Sequence, residues 1–392
     1  MAYYFLFPES DSTIYSHPDR SDLNTGGDEI LELLKERGTT DTFNYPTRIL
    51  MKFKDEEIKE AIDLINNIEG TPSDIFNDGT TTVSLQLTST EAKKLVETNI
   101  LSVAIVSQSW NEGRGKYHNF PTASNGVTWK KRDNSINATS WSTSSFAAYS
   151  TGSVENSTQL TQGGGVWYTG SGFESTQQFL VGETLDTNID VTSLATKWSA
   201  SIYASQTYPD GVINNGFIIR LPDSIETNAD FTFGEISYFS NDTHTIYPPK
   251  LAFKWDDSEY IFSDLSLILN KGSVNVSLYN NKEEYNQNEI AIFRFHVRDK
   301  YPVRTFSTSS NYLVNKRFKS SAVYSIRDAH TEQEINPFDD KFTKISADSE
   351  SSFFKLYMKG LQPERYYRIL VKHINDDGTT VYDDNYYFKV VR

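Results

Sequence analysis

The side chains with the types to do chemistry in this chain are six histidines, scattered acidic pairs and six tryptophans. His17, His118, His244, His296, His330 and His373 form no HExxH or HxH spacing, so no two of them are set up as metal ligands. His296 falls in an alternating strand pattern and His118 in a tryptophan-flanked segment. Both are expected to be satisfied structural residues. Acidic pairs are plentiful, among them Glu56-Glu57, Asp256-Asp257, Glu283-Glu284, Asp339-Asp340 and Asp383-Asp384. A glycosidase holds two carboxylates about 5 to 10 Å apart across a cleft. Nothing in the sequence sets a pair that way, so these read as turn and surface acids. No EF-hand spacing calls for calcium. There is no G-x-S-x-G elbow, phosphate loop or dinucleotide fingerprint, and Gly163-Gly164-Gly165 lacks the strand before it and the helix after it. The expectation is a protein that is not an enzyme, with no catalytic, cofactor-binding or metal residue. Sugar binding is the chemistry that remains, because sugars stack on exposed aromatic faces. Trp141, Trp167, Tyr168 and Phe173 lie in a polar, glycine-rich stretch and are the expected glycan or partner contacts.

These residues must be positioned by strands. Val103-Ala104-Ile105-Val106 is a short apolar run that ends in Ser107-Gln108-Ser109-Trp110, followed by the glycine-broken Asn111 to Gly115 and then Val127-Thr128-Trp129. That pattern is a buried strand entering a long loop, with Trp110 and Trp129 pinning the loop's two ends. Further segments fall in series: Asp11 to Tyr15, Arg48 to Phe53, Asp190 to Leu194 with Trp198, Asn215 to Leu221, and Tyr238-Phe239-Ser240 before Pro248 to Leu251.

Taken together, the Ser109-Trp110…Glu112-Gly113…Pro121…Gly126…Thr128-Trp129 signature and the other five segments resemble DNRLRE-type β-sandwich domains, jelly-roll modules similar to carbohydrate-binding modules. The resemblance covers about residues 5 to 255 and implies structural roles for Trp110 and Trp129. Two insertions depart from it, 55–78 and 134–182.

Composition bounds the rest. A chain of 392 residues is too long for one core. Aromatic residues make up 14%, which favours strands and argues against disorder. The formal charge of −15 repels phosphate backbones, so nucleic acid is not an expected partner. With no cysteine, thiol catalysis and disulfides are excluded. The first residues lack a basic segment and a long apolar run, and no stretch is long enough to cross a bilayer, so synthesis in a cytoplasm is expected.

Along the chain, Asp55 to Glu69 carries Ile58, Ala61, Ile62, Ile65 and Ile68 at helical spacing, with acids in its first turn. Its apolar face either covers its own sandwich or docks a partner, the first being the usual role. Ser89 to Glu97 reads as a short helix, and Thr192 or Ser193 as the cap of another. The aromatic, glycine-rich stretch 134–182 is either a hairpin on its own domain or an excursion ordered by a neighbour. From 258 onward, alternating strands such as 274–278, 289–297, 353–358, 366–372 and 386–391 indicate a second sandwich. Leu361 to Val371 resembles the fibronectin type III corner, which implies that the Tyr367 hydroxyl bonds back to the backbone. Tyr301 to Phe318, with Arg304, Lys316 and Arg317, is a basic insertion, either a solvated face or a docking loop.

The expected fold is all-β: a jelly-roll-like sandwich over 1–257 with a helical insertion, then an Ig- or fibronectin-III-like sandwich over 258–392. The expected function is that of a non-enzymatic virion structural protein, a bacteriophage tail, neck or fibre-attachment component made in the host cytoplasm and held by other virion proteins. The alternative is a carbohydrate-binding adhesin that meets a host-surface glycan.

Overall fold

The computed structural model describes residues 2–392 except 39–42, 70–75, 77–78, 96–97, 119–124, 136, 143–150, 153–162, 181, 203–210, 229–232, 262–264, 269–273, 280, 302–313 and 376–377. The fold is all-β. It divides into two compact units, one of Leu6–Ala252 and one of Phe253–Arg392 with Met1–Phe5.

The chain starts with β1 (Ala2–Leu6), all but its last residue in the smaller unit. In the larger unit it then runs β2 (Ser10–Tyr15), β3 (Ile30–Arg37), β4 (Asn44–Lys52), α1 (Asp55–Glu69), β5 (Thr82–Leu87), β6 (Ser89–Lys93) and β7 (Thr98–Ile105). Four short strands follow, β8 (Lys131–Asp133), β9 (Thr139–Ser140), β10 (Thr151–Gly152) and β11 (Trp167–Tyr168). Then come β12 (Glu174–Leu180), β13 (Thr187–Asp190), α2 (Thr192–Ile202), β14 (Phe217–Arg220), α3 (Asp223–Glu226), β15 (Phe233–Phe239) and β16 (Lys250–Trp255). The main sheet has the order β12-β7-β14-β4-β3-β15-β6, with β2 also on β4. β5 pairs with β13 on one side and β16 on the other.

The apolar stripe of α1 (Ile58, Ala61, Ile62, Ile65) is buried within this unit, and α1 packs on α2. The stripe covers its own core, so a partner does not dock through it. Ser89 to Lys93 is a strand, which corrects the helix expected there. Its Thr-Glu-Ala-Lys run favours a helix weakly, but pairing along β15, from Ser89↔Tyr238 to Lys93↔Glu235, outweighs local propensity. The start of α2 is held from two residues before Thr192: the Asp190 carboxylate accepts the N–H of Thr192 at 2.9 Å.

The C-terminal unit contains β17 (Val274–Tyr279), β18 (Glu284–Asn286), β19 (Ile290–Asp299), β20 (Val323–Asp328), β21 (Glu334–Asn336), β22 (Ser346–Ala347), β23 (Ser352–Tyr357), β24 (Arg365–Asn375), β25 (Gly378–Tyr382) and β26 (Tyr387–Val391). One sheet is ordered β17-β19-β23-β22 and the other β18-β26-β24-β20-β21, with β25 on β24. Alternate residues of β19 point inward, and Phe293, Phe295 and Val297 join Tyr324, Phe354, Tyr367 and Phe388 in one aromatic core. The Tyr324 and Phe354 rings stack 3.9 Å apart. Tyr367 Oη donates to the carbonyl of Gln362 at 2.9 Å.

Candidate functional site

The stretch around Trp110 and Trp129 is held by one buried side chain. Asn24 Nδ2 donates to the carbonyls of Glu112 at 2.6 Å and Val127 at 2.8 Å, and its Oδ1 accepts the N–H of Gly115 at 2.7 Å. Glycine is required where the loop closes on it. Gly113 has φ +80°, and a Cβ there would lie 2.4 Å from Asn24 Oδ1. Trp110 Nε1 donates to the carbonyl of Asn215 at 2.8 Å, while Trp129 is fully buried.

Beside this loop runs an alternating stack of rings and guanidinium groups. Arg48, from β4, lies 4.6 Å from the Trp129 ring and 5.0 Å from the Trp167 ring. Arg220, from β14, lies 4.3 Å from Trp167. Arg48 is paired with Glu226 at 2.7 Å, both side chains fully buried. A charge inside a core is tolerated when it is paired and its donors are satisfied, and here the indole faces supply further attraction.

Placement of the expected contact residues is therefore largely inward. Trp167, Tyr168 and Phe173 are buried, which corrects the reading of them as a glycan or partner surface: Trp167 is sandwiched by two arginines, and Tyr168 and Phe173 pack ring on ring at 5.5 Å. Trp141 is partly buried and its Nε1 donates to the carbonyl of Thr128 at 3.2 Å. Much of the stretch 134–182, namely 143–150 and 153–162, and Arg304 lie outside the described residues. Lys316 and Arg317 serve their own unit, through an ion pair with Asp299 at 2.7 Å and an approach to the Tyr260 ring at 5.4 Å.

An open cleft elsewhere on the larger unit has a different character. It measures about 760 Å³, with a floor of residues from three adjacent strands: Ile30 and Glu32 of β3, Glu235 and Ser237 of β15, and Thr90, Glu91 and Lys93 of β6. The register sets Glu32, Ser237 and Glu91 in one row across the sheet. Asp28 and the segment Lys116-Tyr117-His118 form the wall. Tyr15 Oη donates to Glu32 at 2.7 Å, and Asp28 accepts the N–H of Tyr117 at 2.9 Å. Arg20 donates to Tyr117 Oη at 3.0 Å and lies 5.4 Å from the Tyr15 ring. Lys93 bridges Glu91 at 2.8 Å and Glu235 at 3.6 Å. Burial pushes the carboxyls of both Glu32 and Asp28 above their ordinary range, against the opposing hydrogen bonds from Tyr15 and Tyr117. Carboxylates, hydroxyls and a tyrosine around one cleft can accept hydrogen bonds from a polyhydroxylated ligand. Among the described residues, no group of three or more His, Asp or Glu is arranged to hold a metal ion.

Sequence reasoning missed this cleft, because its residues come from segments some 200 positions apart. The available signal was Glu32 at an outward position of a strand. No family model and no curated protein matches this chain.

Proposed function

We propose that this chain is a non-enzymatic structural component of a virus particle, a bacteriophage tail, neck or fibre-attachment protein that works through protein–protein contacts. In this reading the larger unit is a jelly-roll-like module and the C-terminal unit a fibronectin-III-like one. The observation that carries the reading is where large apolar side chains reach solvent. Ile290 and Ile292, alternate residues on the outward face of β19, are each 48% exposed. On the other sheet of the same unit Tyr366, Val381 and Tyr387 are exposed as well. Single exposed apolar residues are ordinary, whereas apolar residues grouped on one sheet face suit a contact surface. The resemblance of six ordered segments to DNRLRE-type modules supports the same reading. Immunogold electron microscopy of particles from a producing culture tests it. Label confined to the tail or neck is expected, and label only on cells would contradict it.

The acidic cleft favours a second reading, a carbohydrate-binding adhesin. Its hydroxyl and carboxylate acceptors suit a sugar, with weak single-site affinity made useful by repetition in an assembly. A glycan array on the parent protein and on Glu32→Gln tests this: binding lost in the variant supports the cleft, and no binding by the parent removes it.

A further inference from the structure

We infer that two copies of this chain pair through β12, edge to edge and antiparallel. β12 is the last strand of the main sheet, bonded to β7 on one side. The direction of its free groups follows from its neighbour. Val106 donates its N–H to Gly216 on the β14 side of β7, so alternate residues back along that strand also face β14 and the intervening ones face β12. With Thr176 opposite Ser102 and Gln178 opposite Ile100, the N–H and C=O groups of Thr176 and Gln178 point away from β7. Leu180, of the same parity, donates its N–H to the Glu183 carboxylate at 2.9 Å, as that geometry requires. Thr176 and Gln178 themselves meet no backbone partner on this side among the described residues.

Edge strands are normally protected by lysine, proline, a bulge or a short length. The opposite end of the same sheet has such devices: β6 carries Glu91 and Lys93, and its register with β15 shifts between Ser237 and Tyr238. β12 has none of them. Its seven residues pair with β7 in unbroken register, and from Ser175 to Leu180 it is uncharged. Gln177 Oε1 accepts the N–H of Asn188 on β13 at 2.9 Å, which ties the strand to its own unit.

The occupant this edge fits is its own copy. Both backbone groups of Leu180 are already engaged with Glu183, so pairing centres on Thr176 and Gln178. In the antiparallel register, Thr176 faces Gln178 of the second copy and Gln178 faces its Thr176, which exchanges four backbone hydrogen bonds about a twofold axis. Glu174 then lies opposite Leu180 of the other copy, about 20 Å from the second Glu174. A parallel pairing would instead set the two glutamates side by side. This pairing goes beyond the virion reading and stands or falls without it.

Analytical ultracentrifugation over a concentration series up to about 100 µM tests the proposal. The parent is expected to move from 44.6 kDa to twice that mass. Thr176→Pro removes only an outward N–H, which an edge strand tolerates, and is expected to weaken the dimer about tenfold while leaving the melting temperature in place. The double variant T176K/Q178K sets lysines against each other and should do the same through charge, so the test survives if the proline variant fails to fold. Hydrogen exchange at the Thr176 and Gln178 amides should slow as the dimer forms. A parent that stays monomeric throughout overturns the inference, as does a dimer that both variants leave intact, or amides that slow only when a different protein is added.

Discussion

Arg48 shows how far single residues decide this structure. Its guanidinium is fully buried between two indole rings and neutralised by Glu226. Removing one partner of a buried pair leaves the other charge unsatisfied. Glu226→Gln should therefore lower unfolding free energy by about 3 kcal/mol in a urea titration, far more than a surface change. Arg48→Lys should also destabilise, because an ammonium cannot stack or bind bidentately as a guanidinium does. Asp11 carries the clearest pH signature. Burial raises its carboxyl to about 8, opposed by a hydrogen bond from the Asn241 N–H, and Glu112 beside it is raised to about 7 by burial. The native chain then holds these protons to higher pH than the unfolded chain does. The stability they give is whole below the ordinary carboxylate range and is lost as pH rises through about 7 to 8. Asp11→Asn keeps an acceptor for Asn241 without the charge. Its melting temperature should exceed that of the parent at about pH 8, and the gap should close toward about pH 5. A gap that widens toward acid would show that the carboxyl is not held protonated.

Strands were legible in the sequence where burial alternates, and much less so where pairing alone creates them. The 2-residue period of Ile290 to Val297 marked a C-terminal sheet, because that strand has one face in an aromatic core, whereas Ser352 to Tyr357 is buried at every position but Lys355. β6 lacked that period, and its strand identity comes from β15 beside it. The arginine–tryptophan stack was only half visible. Trp129 announced itself in a motif, but Arg48 and Arg220 sit in apolar strands and gain meaning only when β4 and β14 bring them to the same rings. The cleft was invisible for the same reason, its floor being assembled across β3, β15 and β6. The corner at Tyr367 was legible, since a local motif places the hydroxyl five residues from its acceptor, Gln362. Tyr367→Phe should cost about 1 kcal/mol by equilibrium unfolding, the net value of one such hydrogen bond, with the carbonyl of Gln362 losing its donor. No measurable change would mean that water replaces the hydroxyl there.

At the scale of the whole molecule, the larger unit keeps most of its expected aromatic contacts inside though Leu180 and Ile213 are exposed, while the C-terminal unit sets the pair Ile290 and Ile292 on one outward sheet face. This division underlies the proposal that contacts with other proteins, rather than chemistry, are the work of the chain. The measurement that tests it most directly is incorporation of I290K/I292K into particles assembled without the parent chain. Both positions face solvent on β19, so the variant should fold with stability within about 0.5 kcal/mol of the parent. Loss of an apolar contact pair should cut incorporation at least about tenfold. A folded variant that enters particles as well as the parent does would contradict the account.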